Sequence, residues 1–281
     1  MSQKLGLMCG AGVLPARMAD EARRRGWRVL AFAFDDAPSL TARADRVIPA
    51  RLDTLGPVLA TLQAERIGAV LFSGRFSMGE IVRATHADTF TRAVGERAGS
   101  RIDAALAGTI ISTLAGFGIE VLDQRPFFGD SLAPAGAWSR RAPTEAETRD
   151  LRRGFEVART IADARVGQTV VVRHGAITAV EAVEGTTEAI GRGTVHAGPG
   201  AVIVKAVARD HDYRFDVPMI GPETLRAAVA GGAAVLAVEA GRVVVLERDV
   251  LVHEADAVGV ALVGLNADGG GGGRPEPPNS G

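Results

Sequence analysis

Leu5-Gly-Leu-Met-Cys9 is followed directly by Gly10-Ala-Gly-Val-Leu-Pro15. A short apolar run predicts a buried strand, and a glycine turn that ends in proline predicts that a helix begins next. Residues 16–25 favour that helix, and Gly26 suits its C-terminal cap. This strand–turn–helix unit is the first of a series, so the chain predicts an α/β fold.

The first half of the chain repeats this unit. Continuous apolar strands that alternate with helices are typical of a parallel sheet covered on both faces. We therefore expect an N-terminal Rossmann-like parallel-sheet domain over residues 1–126. Its strands are predicted at 5–9, 27–34, 46–49, 69–72 and 119–122, and its helices at 16–25, 54–65, 79–97 and 102–115.

The second half is richer in strands and predicts a C-terminal catalytic α/β domain with a mixed sheet at 144–266. Thr144 and Glu147 form the pattern of a capping box at the start of a helix that ends at 163. His174-Gly175 and Glu239-Ala-Gly241 each predict a hairpin between two strands. Further strands are predicted at 201–207 and 259–264, and further helices at 222–230 and 248–257.

Two stretches without periodicity frame this second domain. Residues 127–143 contain proline and glycine and are interpreted as a linker. Residues 267–281 contain a run of glycines followed by prolines, so we expect a disordered tail.

The composition excludes several classes of protein. With 281 residues, 47% of them hydrophobic, the chain is long enough for two cores. Its net charge of −1 provides no basic field for nucleic acid. Cys9 is the single cysteine, which excludes an internal disulfide and favours a reducing compartment. No apolar run reaches the ~20 residues that span a bilayer, so we expect a cytoplasmic protein.

The loop Gly10–Pro15 lies where a strand meets a helix. Glycines let the backbone approach a ligand, and a helix N-terminus favours an anion. Pro15 stands where a dinucleotide-binding motif would need its third glycine, and the Gly-Lys-Ser/Thr of a P-loop is missing. The loop is therefore either a tight strand–helix turn or a site for a polar ligand.

Two further polar stretches follow predicted strands. Ser73-Gly-Arg75 comes at the carboxyl edge of the first sheet, where the arginine either meets a phosphate or lies on the surface. Val180-Glu-Ala-Val-Glu-Gly-Thr-Thr187 offers carboxylates, a backbone turn and two hydroxyls. That combination suits a polar ligand, or else forms a polar turn with a hydroxyl N-cap for a helix at 188–190.

Lys205 and Asp216 are the strongest candidates for catalysis. The chain has 32 lysines and arginines but only two lysines, Lys4 and Lys205. Hydrolysis of a phosphoanhydride needs positive charge on the phosphoryl oxygens and a carboxylate that holds a divalent ion or orients water. Lys205 and Arg214 supply the charge, and Asp216 supplies an oxygen ligand of the kind that Mg²⁺ prefers.

The neighbouring acidic residues are weaker candidates. Asp210 and Asp212 lie in a charged stretch that is typical of a solvated loop, whereas Asp216 lies between Phe215 and a Val-Pro pair. The sequence has no HExxH, CxxC or GxSxG motif, so it favours neither a zinc enzyme nor a serine hydrolase.

In this order and spacing, the motifs resemble those of the LpxI-type UDP-2,3-diacylglucosamine pyrophosphatases. The similarity extends from about residue 4 to residue 265. The matching motifs are Lys4-Leu-Gly-Leu, Gly10-x-Gly-x-Leu14-Pro15, Phe72-Ser-Gly74, Val166-Gly-Gln168, Val180-Glu181, Glu184-Gly-Thr186, Lys205, Asp216-Val-Pro-x-Ile-Gly221, Gly241-Arg242 and Val263-Gly264.

The resemblance implies a two-domain hydrolase of lipid A biosynthesis, the pathway that supplies the outer membrane of Gram-negative bacteria. Such an enzyme cleaves UDP-2,3-diacylglucosamine to UMP and 2,3-diacylglucosamine 1-phosphate, uses Mg²⁺ or another hard divalent cation, and binds substrate between its domains. The family's catalytic aspartate falls on Asp216, which is also the expected metal ligand, and Lys205 is expected to assist it. The expected substrate contacts are Gly10, Gly12, Leu14, Gly74, Arg75, Gln168, Glu181, Glu184, Gly185, Thr186 and Thr187.

The chain departs from the family pattern at a few positions. Ala11 replaces a glycine, Arg75 stands at a polar position of the family, and Thr187 stands where aspartate is common. The alternative interpretation is a non-catalytic nucleotide-sugar or dinucleotide-binding protein, in which Asp35 or Asp36 holds a ribose. A homodimer and a peripheral contact with the inner membrane are both compatible with the sequence.

Overall fold

The computed structural model describes residues 3–36, 38–76, 87–98 and 103–270. The chain divides into two compact units. The first comprises Met1–Gly129 together with Asp212–Asp216, and the second comprises Asp130–His211 and Val217–Gly281. The segment that ends in Asp216 therefore packs within the first unit, although the sequence placed it in the C-terminal domain.

The first unit contains a five-stranded sheet. Its strands are β1 (Lys4–Cys9), β2 (Arg28–Ala33), β3 (Arg46–Pro49), β4 (Ala69–Ser73) and β5 (Glu120–Val121). They lie in the order β3-β2-β1-β4-β5, and every pairing is parallel. This confirms the predicted Rossmann-like parallel sheet, with β1 and its glycine loop at the centre.

Helices cover this sheet. They are α1 (Leu14–Arg24), α2 (Gly56–Ala64), α3 (Thr89–Ala98) and α4 (Asp103–Gly116). Helix α1 packs against β1 and β2. Met8, Phe32 and Phe72 form a core with Leu62 of α2 and Leu114 of α4. Of the helix predicted at 79–97, residues 79–86 lie outside the described residues.

The second unit contains a mixed sheet, as predicted. Its strands are β6 (Gly136–Ala137), β7 (Thr169–Arg173), β8 (Ala176–Val180), β9 (Val202–Lys205), β10 (Met219–Ile220), β11 (Val235–Glu239), β12 (Val244–Val245) and β13 (Ala261–Leu265). Six of them lie in the order β6-β13-β11-β9-β7-β8, and β10 pairs with β12. The strands β9, β11 and β13 are mutually parallel, while β6, β7 and β8 pair antiparallel to their neighbours.

Four helices pack around this second sheet. They are α5 (Glu145–Asp163), α6 (Thr186–Ala197), α7 (Pro222–Ala230) and α8 (Arg248–Val258). The predicted capping box of α5 is confirmed, since the Glu147 amide donates to Thr144 Oγ1 at 3.3 Å and the Thr144 amide donates to the Glu147 carboxylate at 2.8 Å. Within the described ranges, no helix is both long enough and apolar enough to cross a membrane.

One of the two predicted hairpins is wrong. β7 and β8 do form a hairpin around His174-Gly175, where both residues have positive φ. Around Glu239-Ala-Gly241, in contrast, β11 pairs with β9 and β13, and β12 pairs with β10. Every residue of β11 is buried, as is typical of a strand inside a parallel sheet. The next strand along the chain, β12, is therefore not its hydrogen-bonding partner.

The sequence interprets residues 127–143 as a linker, and in the structure part of this stretch is hydrogen-bonded to the second unit. β6 pairs with β13, and the Ala133 amide donates to the Val243 carbonyl at 2.9 Å. These contacts make the stretch from Asp130 onward part of the second unit. At the other end of that unit, the Asn266 amide donates to the Gly270 carbonyl at 2.9 Å, and residues 271–281 of the predicted tail lie outside the described residues.

Candidate functional site

Lys205 is a buried amine at the carboxyl end of β9. It is only 5% exposed, and a buried charge needs a partner. Its Nζ donates to Thr186 Oγ1 at 3.0 Å and lies 3.8 Å from Glu181 Oε2. The structure thus brings together three of the predicted site residues, which we call the Lys205 cluster (Lys205, Glu181 and Thr186).

Glu181 organises this cluster. It follows β8 directly, and both of its carboxylate oxygens are engaged by the protein. Oε1 accepts from Thr186 Oγ1 at 2.9 Å, and Oε2 accepts from the Gln168 amide at 3.3 Å. Glu181 therefore holds Lys205 and the start of α6 in place, and the Gln168 backbone contributes to the same arrangement.

Helix α6 begins beside Lys205 without a side-chain cap. Gly185 precedes the helix with φ of 89°, a conformation that suits glycine, and as a glycine it has no side chain that could cap the first turn. The predicted hydroxyl N-cap is wrong, because Thr186 lies inside the helix and donates to Glu181. Thr187, the second predicted hydroxyl, is exposed.

Glu184 lies just before this helix and is paired. Its carboxylate accepts from Arg192 at 2.5 Å. Its own backbone N–H and the Arg192 guanidinium keep the pKa of Glu184 below the usual value. The helix N-terminus carries partial positive charge, and Lys205 adds a full one, so the Lys205 cluster suits a phosphate group.

Asp216 ends a five-residue segment that is anchored in the first unit. Tyr213 is buried, its carbonyl accepts from the Gln124 amide at 3.2 Å, and its ring lies 4.9 Å from the Arg125 guanidinium carbon. Arg214 donates to Asp212 at 2.7 Å, and this hydrogen bond raises the pKa of Arg214. Asp216 itself is exposed.

Phe215, directly before Asp216, belongs to an aromatic cluster in the first unit. Its ring centroid lies 4.4 Å from that of Phe72 and 6.3 Å from that of Phe76, which in turn contacts Phe34. These rings line a cavity of about 60 Å³ between the sheet and helices α2, α3 and α4. Among the described residues around this cavity, Thr113 is the one with a polar side chain.

The glycine loop after β1 is tied to the loop after β4. The Gly10 amide donates to the Ser73 carbonyl at 2.8 Å, and Ala11 and Arg75 exchange two backbone hydrogen bonds of 2.9 Å. A Cβ on Gly10 would lie 2.4 Å from the Arg75 carbonyl oxygen, so the close approach of these loops requires glycine. The Gly10 N–H therefore donates its hydrogen bond within the protein.

The other predicted contacts in this region differ in exposure. Gly12 is exposed with φ of 103°, and Arg75 is exposed, whereas Leu14 is 5% exposed and packs in the core. Gly74 has φ of 85° and lies against the Ala11 carbonyl. Burial raises the pKa of the neighbouring Cys9 thiol to about 12.

Sequence reasoning missed a buried charge network at the end of β11. Glu239 is 1% exposed, and its Oε1 lies 2.5 Å from Arg159 Nη2 and 3.3 Å from Arg242 Nη1. Its Oε2 accepts from the Val207 amide at 2.9 Å. Arg242 also donates to the Ala208 carbonyl at 2.6 Å, so the network fixes the chain that leaves β9. The matched Gly241-Arg242 motif was the available signal, but the sequence predicted a hairpin at Glu239-Ala-Gly241.

The described residues contain no group of three or more His, Cys, Asp and Glu side chains that could hold a metal ion. Such a group is not required for Mg²⁺, which keeps several waters and binds through one or two carboxylates together with substrate phosphates. An exposed carboxylate such as Asp216 fits that mode of binding.

Family comparisons cover nearly the whole chain. The family model of the LpxI N-terminal domain matches residues 4–131, and that of the LpxI C-terminal domain matches residues 134–263. The chain is also similar to the UDP-2,3-diacylglucosamine pyrophosphatase LpxI of Caulobacter vibrioides. The two are 29% identical over 287 aligned positions, which cover 94% of this chain and 98% of that protein.

Solved structures are more distant. A glycinamide-RNase-transformylase T from Mycobacterium tuberculosis is 13% identical with a TM-score of 0.25, over 64% of this chain and 44% of that one. A phosphoribosylglycinamide synthetase from Anaerococcus prevotii is 12% identical with a TM-score of 0.26, over 65% and 39%. Scores this low support no conclusion about fold or function.

Proposed function

Since this chain belongs to the LpxI family, we propose that it hydrolyses UDP-2,3-diacylglucosamine to UMP and 2,3-diacylglucosamine 1-phosphate, a step of lipid A biosynthesis. One water adds across the P–O–P bond, so each product keeps one phosphate. The observation that carries the proposal is the placement of Lys205, a buried amine at the uncapped start of α6. This arrangement can neutralise a phosphoryl group without exposing the lysine to water.

We assign two roles in the chemistry. Lys205 binds a phosphoryl oxygen and is held in place for this by Glu181 and Thr186. Asp216 orients the attacking water or holds the divalent cation, since its carboxylate is exposed while its neighbours Tyr213 and Phe215 are packed. A bound Mg²⁺ would withdraw charge from the phosphoryl oxygens.

The apolar cavity supports the choice of an acylated substrate. A cavity lined by aromatic and aliphatic side chains suits an acyl chain, and it lies in the same unit as Asp216. Phe215 lies in the cavity wall, and Asp216 is the next residue along the chain. A substrate that carries acyl chains also gives a reason for a peripheral contact with the inner membrane.

The direct test is UMP release by the purified protein from UDP-2,3-diacylglucosamine. We expect release with Mg²⁺, loss with EDTA and recovery when Mg²⁺ is added in excess. In a second experiment, the shift in melting temperature caused by UMP, by UDP and by NAD is measured for the same protein. Stabilisation by NAD alone, with no UMP release in any metal, would favour the dinucleotide-binding alternative.

Replacing Lys205 by methionine is expected to lower kcat/KM for UMP release by about 100-fold. This is the size of effect seen when an enzyme loses one hydrogen-bond donor to the negatively charged oxygen of its transition state. Lys4→Met is the matched control, because Lys4 is the only other lysine and its amine pairs with Glu65 2.8 Å away at the surface. Both variants are assayed by steady-state UMP release.

Removing Lys205 also leaves the Glu181 carboxylate buried without its cation, which destabilises the fold. The double variant Lys205→Met with Glu181→Gln removes that unpaired charge. We expect it to recover thermal stability without recovering activity. Wild-type turnover by a folded Lys205→Met protein would exclude the assigned role.

A further inference from the structure

Asp216 belongs to a short segment whose place in the first unit depends on side-chain contacts. The segment Asp212–Asp216 packs within the first unit, whereas His211 and Val217 on either side of it belong to the second. It contains no strand and no helix that could fix it through regular backbone pairing. The packed ring of Phe215 holds the segment at one point. One point leaves the chain free to turn, so a second contact is needed to give the Asp216 carboxylate a single direction.

That second contact is formed by two similar motifs, Asp123-Gln-Arg125 and Asp212-Tyr-Arg214. In both, the arginine donates its backbone N–H to the aspartate two residues earlier, at 2.8 Å in the first motif and at 3.0 Å in the second. In both, the guanidinium donates to the same carboxylate, at 2.9 Å and 2.7 Å. Each arginine is therefore held in place by its own aspartate.

The middle residues join the two motifs to each other. The Gln124 N–H donates to the Tyr213 carbonyl at 3.2 Å, and the Arg125 guanidinium carbon lies 4.9 Å from the centre of the Tyr213 ring. At this distance a cation is attracted to the face of an aromatic ring. Tyr213 is only 3% exposed, so the contact is shielded from water on the tyrosine side.

Arg125 is a rigid part of the first unit. It begins the 3₁₀ turn Arg125–Phe127, and Phe127 and Phe128 are both buried. Pro126 restricts the backbone of the same turn. An arginine that is fixed both by its backbone and by a carboxylate can hold Tyr213 in place, because its own position does not depend on the tyrosine.

We propose that Arg125 is a positioning residue for the reaction: it holds Tyr213, and through Tyr213 it sets the direction in which the segment presents Asp216. The proposal rests on the proposed function, since it explains how the catalytic carboxylate is kept in one place. In this role Arg125 acts through the protein and does not touch the substrate. A displacement of about 1 Å at a catalytic group can lower a rate by up to ~100-fold, so a contact three residues away is enough to affect catalysis.

The first test separates kcat from KM. Arg125→Met keeps an unbranched side chain but removes the charge, and we expect it to lower kcat for UMP release by about 10-fold while KM stays within about 2-fold of the wild type. Arg125→Lys keeps a cation over the Tyr213 ring and should retain kcat within about 3-fold of the wild type. A wild-type kcat in Arg125→Met would overturn the proposal, whether or not KM changes.

Arg51→Met is the matched control. Arg51 lies in the same unit and also donates to an aspartate two residues away, Asp53, at 2.9 Å. Its side chain is 75% exposed, and it takes no part in the proposed chemistry. We expect the wild-type kcat and KM. An equal loss of kcat in Arg51→Met and Arg125→Met would mean that the loss of any such pair weakens the enzyme, and Arg125 would have no special role.

The second test combines Arg125→Met with Asp216→Asn. If Arg125 acts through Asp216, the double variant should be no slower than Asp216→Asn alone, because there is no carboxylate left to misplace. If Arg125 only stabilised the fold, the two losses would multiply. A further 10-fold loss in the double variant would therefore contradict the positioning role.

The third test needs no hydrolysis. Hydrogen–deuterium exchange is followed in the peptide that spans residues 212–216. Arg125→Met should speed exchange there by about 3- to 30-fold, the contribution of one cation–π contact, while the peptides of β1 and β4 exchange as in the wild type. Unchanged exchange at 212–216 would overturn the proposal whatever the activity. Faster exchange in a protein whose wild type releases no UMP would instead leave the contact established and reject the proposed function.

Discussion

Asparagine in place of Asp216 is expected to lower kcat/KM for UMP release by about 10²- to 10⁴-fold, the range found when a positioned acid or base is removed. Asparagine has nearly the same size, so the substitution removes the charge and the second oxygen without changing the local volume. Tyr213 and Phe215 anchor the segment through packing. The variant should therefore melt within a few degrees of the wild type.

Asp210→Asn is the matched control for this experiment. Asp210 lies in the same acidic stretch, is exposed, and pairs with Arg165 at 2.7 Å. An exposed ion pair contributes at most about 1 kcal/mol, and this one takes no part in the proposed chemistry. We expect wild-type kcat/KM for Asp210→Asn. If the two variants had the same activity, Asp216 would not be the catalytic carboxylate.

Glu239→Gln is expected to destabilise the second unit by about 3–5 kcal/mol, the cost of breaking a buried ion pair from one side. The glutamine keeps the shape but leaves Arg159 and Arg242 without the carboxylate that neutralises both. The free energy of unfolding is measured from urea denaturation followed by the fluorescence of Trp138, which lies beside the strand pairing of β6 and β13.

The exposed Glu156 provides the matched control, since its side chain is 70% exposed and lies 3.7 Å from Arg153. Glu156→Gln should change the free energy of unfolding by less than about 1 kcal/mol. Adding Arg159→Met to Glu239→Gln removes one of the two unpaired cations and should restore part of the loss. A Glu239→Gln protein as stable as Glu156→Gln would show that the network contributes nothing to the fold.

Local signals in the sequence predicted much of the fold. The capping box at Thr144 and the positive-φ turn at His174-Gly175 each involve only a few consecutive residues. The helix start and the hairpin that they form can therefore be predicted from the local sequence alone. The parallel sheet of the first unit follows from its alternating apolar strands and helices. Lys205 was singled out as rare, and the structure shows that it is buried and hydrogen-bonded to Thr186.

The missed features depend on partners far apart in the chain. Glu239 was interpreted as the start of a hairpin turn, but it is buried and pairs with the distant Arg159 of α5 as well as with the nearby Arg242. Phe215 was assigned to the second domain by position, but its aromatic partners are Phe72 and Phe76. The position of Thr113 in the cavity lining could not be predicted, because it depends on which face of α4 borders the cavity.

The assignment of Asp212–Asp216 to the first unit has a consequence for biosynthesis. Proteins are made from the N-terminus, and domains generally fold as they emerge from the ribosome. The first 129 residues emerge early, but Phe215, which completes their aromatic cluster, emerges only after most of the second unit has been translated. The first unit therefore stays incomplete until the segment Asp212–Asp216 has been made, and the proposed catalytic aspartate reaches its place only after residues 130–211 have been translated.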